Sequence, residues 1–374
     1  MPITITLTSN PNRVGMQWLP AARLAGSPAL HDPGTLGIAT HGGANALAVA
    51  AHLPQAHLLK GLIGNGEPVV ELWSGRYPAR SELIGITHCR HNGEVMFATV
   101  SVASAGVGAD APGAATYTAY RSLLDALNSA EYPHLLRIWN SIPDINVDDD
   151  GLERYRRFNV QRFKAYEESQ RPTQTGAPAA CALGSFGGPL VVYCLASKTP
   201  AEAIENPRQT SAYRYPPEYG PRPPNFSRAA LWRGAADESD VLFVSGTASI
   251  VGHQSRHPGN VVAQTHETLT NLQAIVAEAI SHDARRLALL SDLRLKAYIR
   301  HIGDAPKVRE VLAGHGLDAA AVLYLHADIC RADLLVEIEA IGPIRSIQIS
   351  AGTTDTPDSR SRSSGDSPAL QETG

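Results

Sequence analysis

With 374 residues, 43% of them apolar and 18% charged, the chain has the make-up of an ordinary globular protein and more length than one core usually fills, so two domains and a tail are expected. A formal net charge of −4 without any lysine- or arginine-rich run leaves no global basic field, which excludes nucleic acid and anionic membrane as partners. Cys89, Cys181, Cys194 and Cys330 form no Cys-x-x-Cys pair and have no histidine at zinc-ligand spacing, so neither a disulfide framework nor a metal site is expected.

The opening Met-Pro-Ile-Thr-Ile-Thr-Leu-Thr lacks the basic and apolar regions of a secretory signal and reads as a strand. No apolar run approaches the roughly 20 residues of a membrane-spanning helix, and a cytoplasmic location is expected. Up to about residue 200, short β-rich runs alternate with Gly/Pro turns, and β-branched content predicts strands at 95–103 and 190–196. Residues 118–127 and 153–168 read as helices. In the second, Tyr155, Phe158, Arg162 and Tyr166 recur every three or four residues, giving an aromatic face with one cation in it. Arg162 either points into a site or snorkels to the surface. Residues 167–179 form a polar loop or linker.

Next, residues 205–228 pack Arg208, Arg214, Arg222 and Arg228 with Tyr213, Tyr215 and Tyr219 among prolines. Each proline fixes its own φ and biases its predecessor toward extended backbone, so the loop is partly ordered before a ligand arrives. Guanidinium forks beside phenols suit carboxylates, and a small acid with two of them fits best. The other reading is a solvated connector whose arginines flank proline turns.

Beyond the loop, Val-Leu-Phe-Val at 241–244 predicts a buried strand ending in Ser-Gly-Thr-Ala-Ser at 245–249, a small-residue turn that a ligand can approach closely. Residues 264–280 form an amphipathic helix with Leu269, Leu272, Ile275, Val276, Ala279 and Ile280 on one face. A strand at 293–302, a short helix at 306–314 and strands at 320–327 and 334–341 complete a mixed sheet with helices on one face. In the last strand the period of two places Val336, Ile338 and Ala340 on one side, Glu337 and Glu339 on the other. The acidic side is either solvated or closes a cleft whose apolar wall raises a carboxyl's pKa enough to make it a proton donor. Glu337 is the better donor, being nearer the Cys330-Arg-Ala-Asp333 turn, which brings a thiol and a guanidinium to the same strand end. From Ser346 the composition turns to Ser, Thr, Gly, Asp and Pro, and a disordered tail over 346–374 is expected.

The 245–249 turn, the 264–280 helix and Leu-Val-Glu-Ile-Glu-Ala-Ile at 335–341 resemble the RidA enamine/imine deaminase fold. Those deaminases carry an arginine fifteen positions before the glutamate, where this chain has Val322. The longer signature Glu-Asn-Pro-Arg-Gln-x-Ser-Ala-Tyr-x-Tyr-Pro from Glu205, then Tyr-Gly-Pro-Arg ending at Arg222 and Phe-Ser-Arg-Ala ending at Ala229, resembles the chorismatase family. That resemblance implies an α+β chain of two domains: an N-terminal α/β domain over 1–200 and a RidA-like catalytic domain over 201–345. It implies a lyase that releases pyruvate from chorismate without metal or organic cofactor. Glu337 would protonate the enolpyruvyl methylene, Arg222, Tyr215, Tyr219 and Arg162 would grip carboxylates, and Gly246 with Cys330 would mark the branch that forms 3-hydroxybenzoate. The alternatives are hydrolysis to a dihydroxy-cyclohexadiene carboxylate and a non-catalytic RidA-like protein that binds a small acid. RidA relatives form trimers, but the added domain could cover those surfaces, so monomer and homo-oligomer both stay open.

Overall fold

The computed structural model describes residues 3–8, 13–43, 47–64, 67–104, 111–234, 239–281, 283 and 286–351. Val14–Pro20 (β1), Thr35–His41 (β2), Gln55–Leu58 (β3) and Val69–Gly75 (β4) form a four-stranded sheet in the order β1-β4-β2-β3. Arg80–Ile84 (β5), Thr87–His91 (β6), Val95–Val102 (β7), His134–Pro143 (β8), Ala179–Ser185 (β9) and Leu190–Ser197 (β10) form a six-stranded sheet, ordered β9-β8-β10-β7-β6-β5. The helices Ala111–Ser129 (α1) and Arg154–Glu168 (α2) cover its outer face. Alternation along β7 turns Met96, Ala98 and Val100 toward Leu123 and Leu127 of α1 and Phe158 of α2, while Val95 and Phe97 face inward.

The third sheet has nine strands. Ala229–Trp232 (β11), Asp240–Ala248 (β12), Arg294–Ile299 (β13), Leu323–His326 (β14) and Val336–Ala351 (β15) run in the order β11-β12-β15-β13-β14, flanked by Glu202–Ile204 and Gly61–Leu62. β13 and β14 are parallel and their neighbours antiparallel, a mixed sheet as expected. Val261–Ile280 (α3) and Ala305–Gly314 (α4) pack on one face, where Leu269, Leu272 and Ile275 meet Val336, Ile338 and Ala340. The side chain of Asn260 accepts the Ala263 N–H and so caps α3. The other face of this sheet meets the inner face of the six-stranded one across Trp139, Tyr193, Phe243 and Tyr298. Within the α+β architecture the six- and nine-stranded sheets thus lie back to back with a helix pair outside each. Among the described residues no helix is long and apolar enough to cross a membrane.

Three elements differ from the sequence reading. The 245–249 segment is no turn: β12 continues to Ala248, with a register shift between Val244 and Thr247. At the bulge the Ser245 hydroxyl donates to the Ser227 carbonyl and accepts the Ala180 N–H, tying β12 to β9 and to the segment before β11. The expected strand at 320–327 begins instead with the 3-10 turn Ala319–Ala321, capped by the Asp318 side chain. The last strand runs to Ala351, past the expected start of the tail at 346, because Ile3–Thr8 and Arg286–Leu287 pair with its far end. Residues 352–374, the rest of the expected tail, lie outside the described residues.

Candidate active site

A cavity of about 580 Å³ opens where the 205–228 loop, the bulged β12 and the start of β15 meet the N-terminal end of α2, a size typical of small-molecule sites. Glu337, Cys330, Tyr215, Tyr219 and Gly246 all line it. Arg228, Arg331, Tyr155 and Phe226 complete its inner wall, while Asn146, Asp148 and Arg156 stand toward the β8–α2 connection.

Glu337 sits on β15 directly opposite Ala248 on β12 and Tyr298 on β13. Its side chain is 3% exposed. Among the described residues neither carboxyl oxygen has a hydrogen bond or ion pair. Burial, reinforced by the negative charge of Glu339, pushes its pKa up to about 8, with Arg137 and Arg228 only partly offsetting this. At neutral pH Glu337 is therefore mostly a carboxylic acid facing an open cavity. A Cβ at Gly246 would lie 1.9 Å from Glu337 Oε1 and 3.0 Å from Cys181 Cβ, so glycine here makes room for the acid itself. Cys330, half-buried in the cavity wall, has its pKa raised to about 12 by burial and then by Glu337, and it stays a thiol.

The proline-bearing loop folds into two 3-10 turns, Ala212–Arg214 and Pro217–Tyr219, which set the Tyr215 and Tyr219 rings 5.3 Å apart. Arg331 lays its guanidinium over Tyr219 at 4.0 Å and Tyr215 at 5.0 Å. Its Nη1 donates to the His253 carbonyl at 2.8 Å. Arg228 Nη2 donates to Tyr215 Oη and to the Thr210 carbonyl, each at 2.8 Å. One nitrogen of each guanidinium, Arg331 Nη2 and Arg228 Nε, is buried without an acceptor among the described residues. Two fixed cations with donors to spare, beside a neutral acid, form a receptor for a small dianion plus a proton source.

The other sequence candidates are placed elsewhere. Arg222 rests on Phe163 at 4.3 Å and does not line the cavity. Arg162 is neither surface-snorkelling nor in the cavity wall: it is buried, lies 5.1 Å from the Phe158 ring centre and donates to Asn159 Oδ1 at 2.9 Å. Arg208 is held by Glu267 and Asn271, and Arg214 packs on Tyr213. The sequence reading counted Arg228 among the loop cations and Arg331 with the Cys330 turn, but it set neither apart as a ligand-binding residue. Arg331's adjacency to Cys330 is the available signal, Phe226 and Arg228 lie in the Phe-Ser-Arg-Ala signature, and Tyr155 is marked only by the aromatic face of α2. No three His, Cys, Asp or Glu side chains converge as a metal-binding group among the described residues.

Comparison with known proteins bears on this assembly. Residues 71–196 match the family model described as chorismatase FkbO/Hyg5-like, N-terminal. A 3-hydroxybenzoate synthase of Streptomyces hygroscopicus is 38% identical over 283 residues, covering 74% of this chain and 82% of that one. A chorismatase of the same species is 37% identical over 324 residues, 84% and 92% of the two chains. A crystal structure of a chorismatase superimposes with a TM-score of 0.78 at 33% identity, covering 90% of this chain and 99% of that one. Likeness of this extent in both sequence and backbone spans the N-terminal region and the cavity-bearing sheet together, and by it the chain belongs to the chorismatase family.

Proposed function

We propose that the cavity converts chorismate to 3-hydroxybenzoate and pyruvate, with Glu337 as the acid that starts the reaction. The observation that carries this reading is Glu337 itself: an unpaired, buried carboxyl with a pKa near 8, opening on a cavity that also holds Arg228 and Arg331. Protonating carbon at neutral pH requires a neutral donor of about this acidity. The two guanidiniums and the phenols of Tyr215 and Tyr219 are suited to hold the substrate's two carboxylates.

Proton transfer from Glu337 to the enolpyruvyl methylene makes the ether carbon an oxocarbenium. The neighbouring ring hydroxyl then attacks the ring carbon bearing the ether. That C–O bond breaks, and its electrons make the carbonyl of departing pyruvate. The hydroxyl proton leaves as that oxygen comes to bridge both ring carbons; its original C–O bond then breaks while the carbon that keeps the oxygen loses its C–H proton. Of the two protons released, one returns to the oxygen as the phenol forms and the other to Glu337. The sum uses no water. Cys330, kept as a thiol and lining the same cavity, would pass a proton between ring and carboxylate, and the 38% identity to a 3-hydroxybenzoate synthase supports this branch.

Turnover in 18O-labelled water, with pyruvate reduced enzymatically as it forms, tests the proposal. The expected products are unlabelled 3-hydroxybenzoate and lactate without label at its hydroxyl. A non-aromatic dihydroxy acid, together with labelled lactate, would mean that water captures the oxocarbenium and that the enzyme is a hydrolase. No turnover at all would leave a binding protein.

Gly246 offers a second check. Gly246→Ala places a methyl where Glu337 Oε1 now lies, and the carboxyl must swing aside. A misplacement of about 1 Å costs up to roughly 100-fold, so kcat should fall by about 10- to 100-fold while KM changes less than about threefold. Unchanged kcat would show that the acid tolerates the shift and that Gly246 serves packing alone.

A further inference from the structure

Glu339 lies two residues along β15 from Glu337, on the same face of the strand, and is equally buried. Its surroundings are the reverse of its neighbour's. Arg137 Nη2 reaches its carboxylate at 2.5 Å, Lys296 Nζ at 2.6 Å and Trp139 Nε1 at 2.9 Å. Lys296 also bonds Glu71 Oε2 at 2.7 Å, and Trp73 Nε1 donates to Glu71 Oε1 at 2.8 Å. His41, with neither ring nitrogen hydrogen-bonded, stands 3.6 Å from Glu71. Two cations, Arg137 and Lys296, therefore match two carboxylates, Glu339 and Glu71, and the set leaves no cation for Glu337.

We propose that Glu339 is a positioning residue for the acid: by taking both Arg137 and Lys296 as partners it draws the buried cations of this face away from Glu337, and its own fixed negative charge opposes ionisation of Glu337. The inference rests on the reading of Glu337 as the proton donor. It explains why a strand that needs one acid carries two at the spacing of a shared face.

The electrostatics agree with the geometry. Burial alone would push Glu339 up, yet Lys296 and Arg137 hold it below the ordinary carboxylate range. Glu339 is in turn the largest charge effect on Glu337 after burial. The groups that face Glu337 from other elements are few. Arg137 on β8 and Arg228 before β11 lower its pKa. Cys181 on β9, Tyr298 on β13 and Cys330 all have their own pKa values raised by burial and are neutral, while Arg331 lines the cavity bonded to the His253 carbonyl and stacked on Tyr219. Lys60, bonded to Ser141 at 2.8 Å, is pushed down to about 8 by burial and feels Cys181, Lys296 and Glu339. None of these supplies the negative charge that Glu339 does.

The test is a titration of Glu337 by 13C NMR of protein labelled at glutamate carboxyls, its signal assigned by loss in Glu337→Gln, run alongside the pH profile of chorismate turnover. In the wild type, Glu337 is expected to titrate near 8, with turnover falling about tenfold per pH unit above that value. Two unit charges roughly 7 Å apart in a medium of effective dielectric about 20 shift a pKa by roughly one to two. Glu339→Gln should therefore move both the titration and the alkaline limb down by roughly one to two pH units. Because that variant strands two buried cations and can fail to fold, Glu339→Gln with Lys296→Gln removes charge in balance and should move the titration in the same direction by a smaller amount, since the lost lysine charge partly offsets the lost carboxylate. Glu339→Asp, which keeps the charge, should restore it to near 8. The inference is overturned if Glu337 titrates near 4.5 in the wild type, or if it stays within about 0.3 of its wild-type value in a folded Gln variant. Should the titration shift as expected while chorismate is not turned over, the coupling stands and the proposed reaction fails; turnover without a shift means the converse.

Discussion

Glu337→Gln is expected to lower kcat by at least about 10³-fold with chorismate affinity retained, because the amide preserves the shape of the acid and removes its proton. The same change should make the protein more stable in alkali. A carboxyl whose folded-state pKa is raised binds its proton more tightly in the native chain than in the unfolded one. Stability contributed by that proton is complete below the unfolded value near 4.5 and is lost as pH rises toward the folded value near 8. At pH 9 the wild type should have lost on the order of 5 kcal/mol that the Gln variant never loses. Thermal melts at pH 5 and pH 9 measure this: the gap between variant and wild type should widen at the higher pH. Turnover within a few fold of wild type would remove Glu337 from the chemistry, and pH-independent melting differences would place its pKa in the ordinary range.

Arg228→Met is expected to cost chorismate turnover roughly 30- to 1000-fold in kcat/KM, the range for losing one partner of a buried, hydrogen-bonded charge pair. Arg228 holds Tyr215 Oη and keeps an unpaired Nε inside the protein, so its loss removes both a cation and the anchor of a phenol. Most of the change should appear in KM if the residue grips the substrate's ground state. Arg222→Met, by contrast, removes only a side chain stacked on Phe163, and kcat/KM should change less than about twofold, as at most surface substitutions. Equal effects at the two positions would overturn this assignment of the carboxylate-binding role.

The contrast between these arginines shows how much of the site could be read from residues alone. The alternation in β15 puts Glu337 and Glu339 on one face from the sequence alone, since a period of two fixes that much. The amphipathic stripe of α3 and the β-branched content of β7 and β10 located those elements to within a few residues. What the chain order did not carry was the fate of long side chains. Arg208 meets Glu267 fifty-nine positions away, and nothing in the local pattern separates it from Arg228, which turns inward to Tyr215. The division of labour between Glu337 and Glu339 was hidden for the same reason, because Arg137 lies 202 positions before its partner. At 245–249 the small residues suggest a turn, whereas the Ser245 hydroxyl stitches a bulged strand to its neighbours.

The buried charges bear on how the chain assembles. Lys296 and Glu71 are 225 residues apart and meet with no solvent between them, and Glu339 draws one of its two cations from the six-stranded sheet and the other from the nine-stranded one. A fragment cut near residue 200 would keep the Glu339–Lys296 pair but lose Arg137, Trp139 and Glu71 from around it and uncover the apolar face of Phe243 and Tyr298. Excising the C-terminal half should thus yield a poorly folded product, and refolding of the whole chain should wait on the late docking of distant segments.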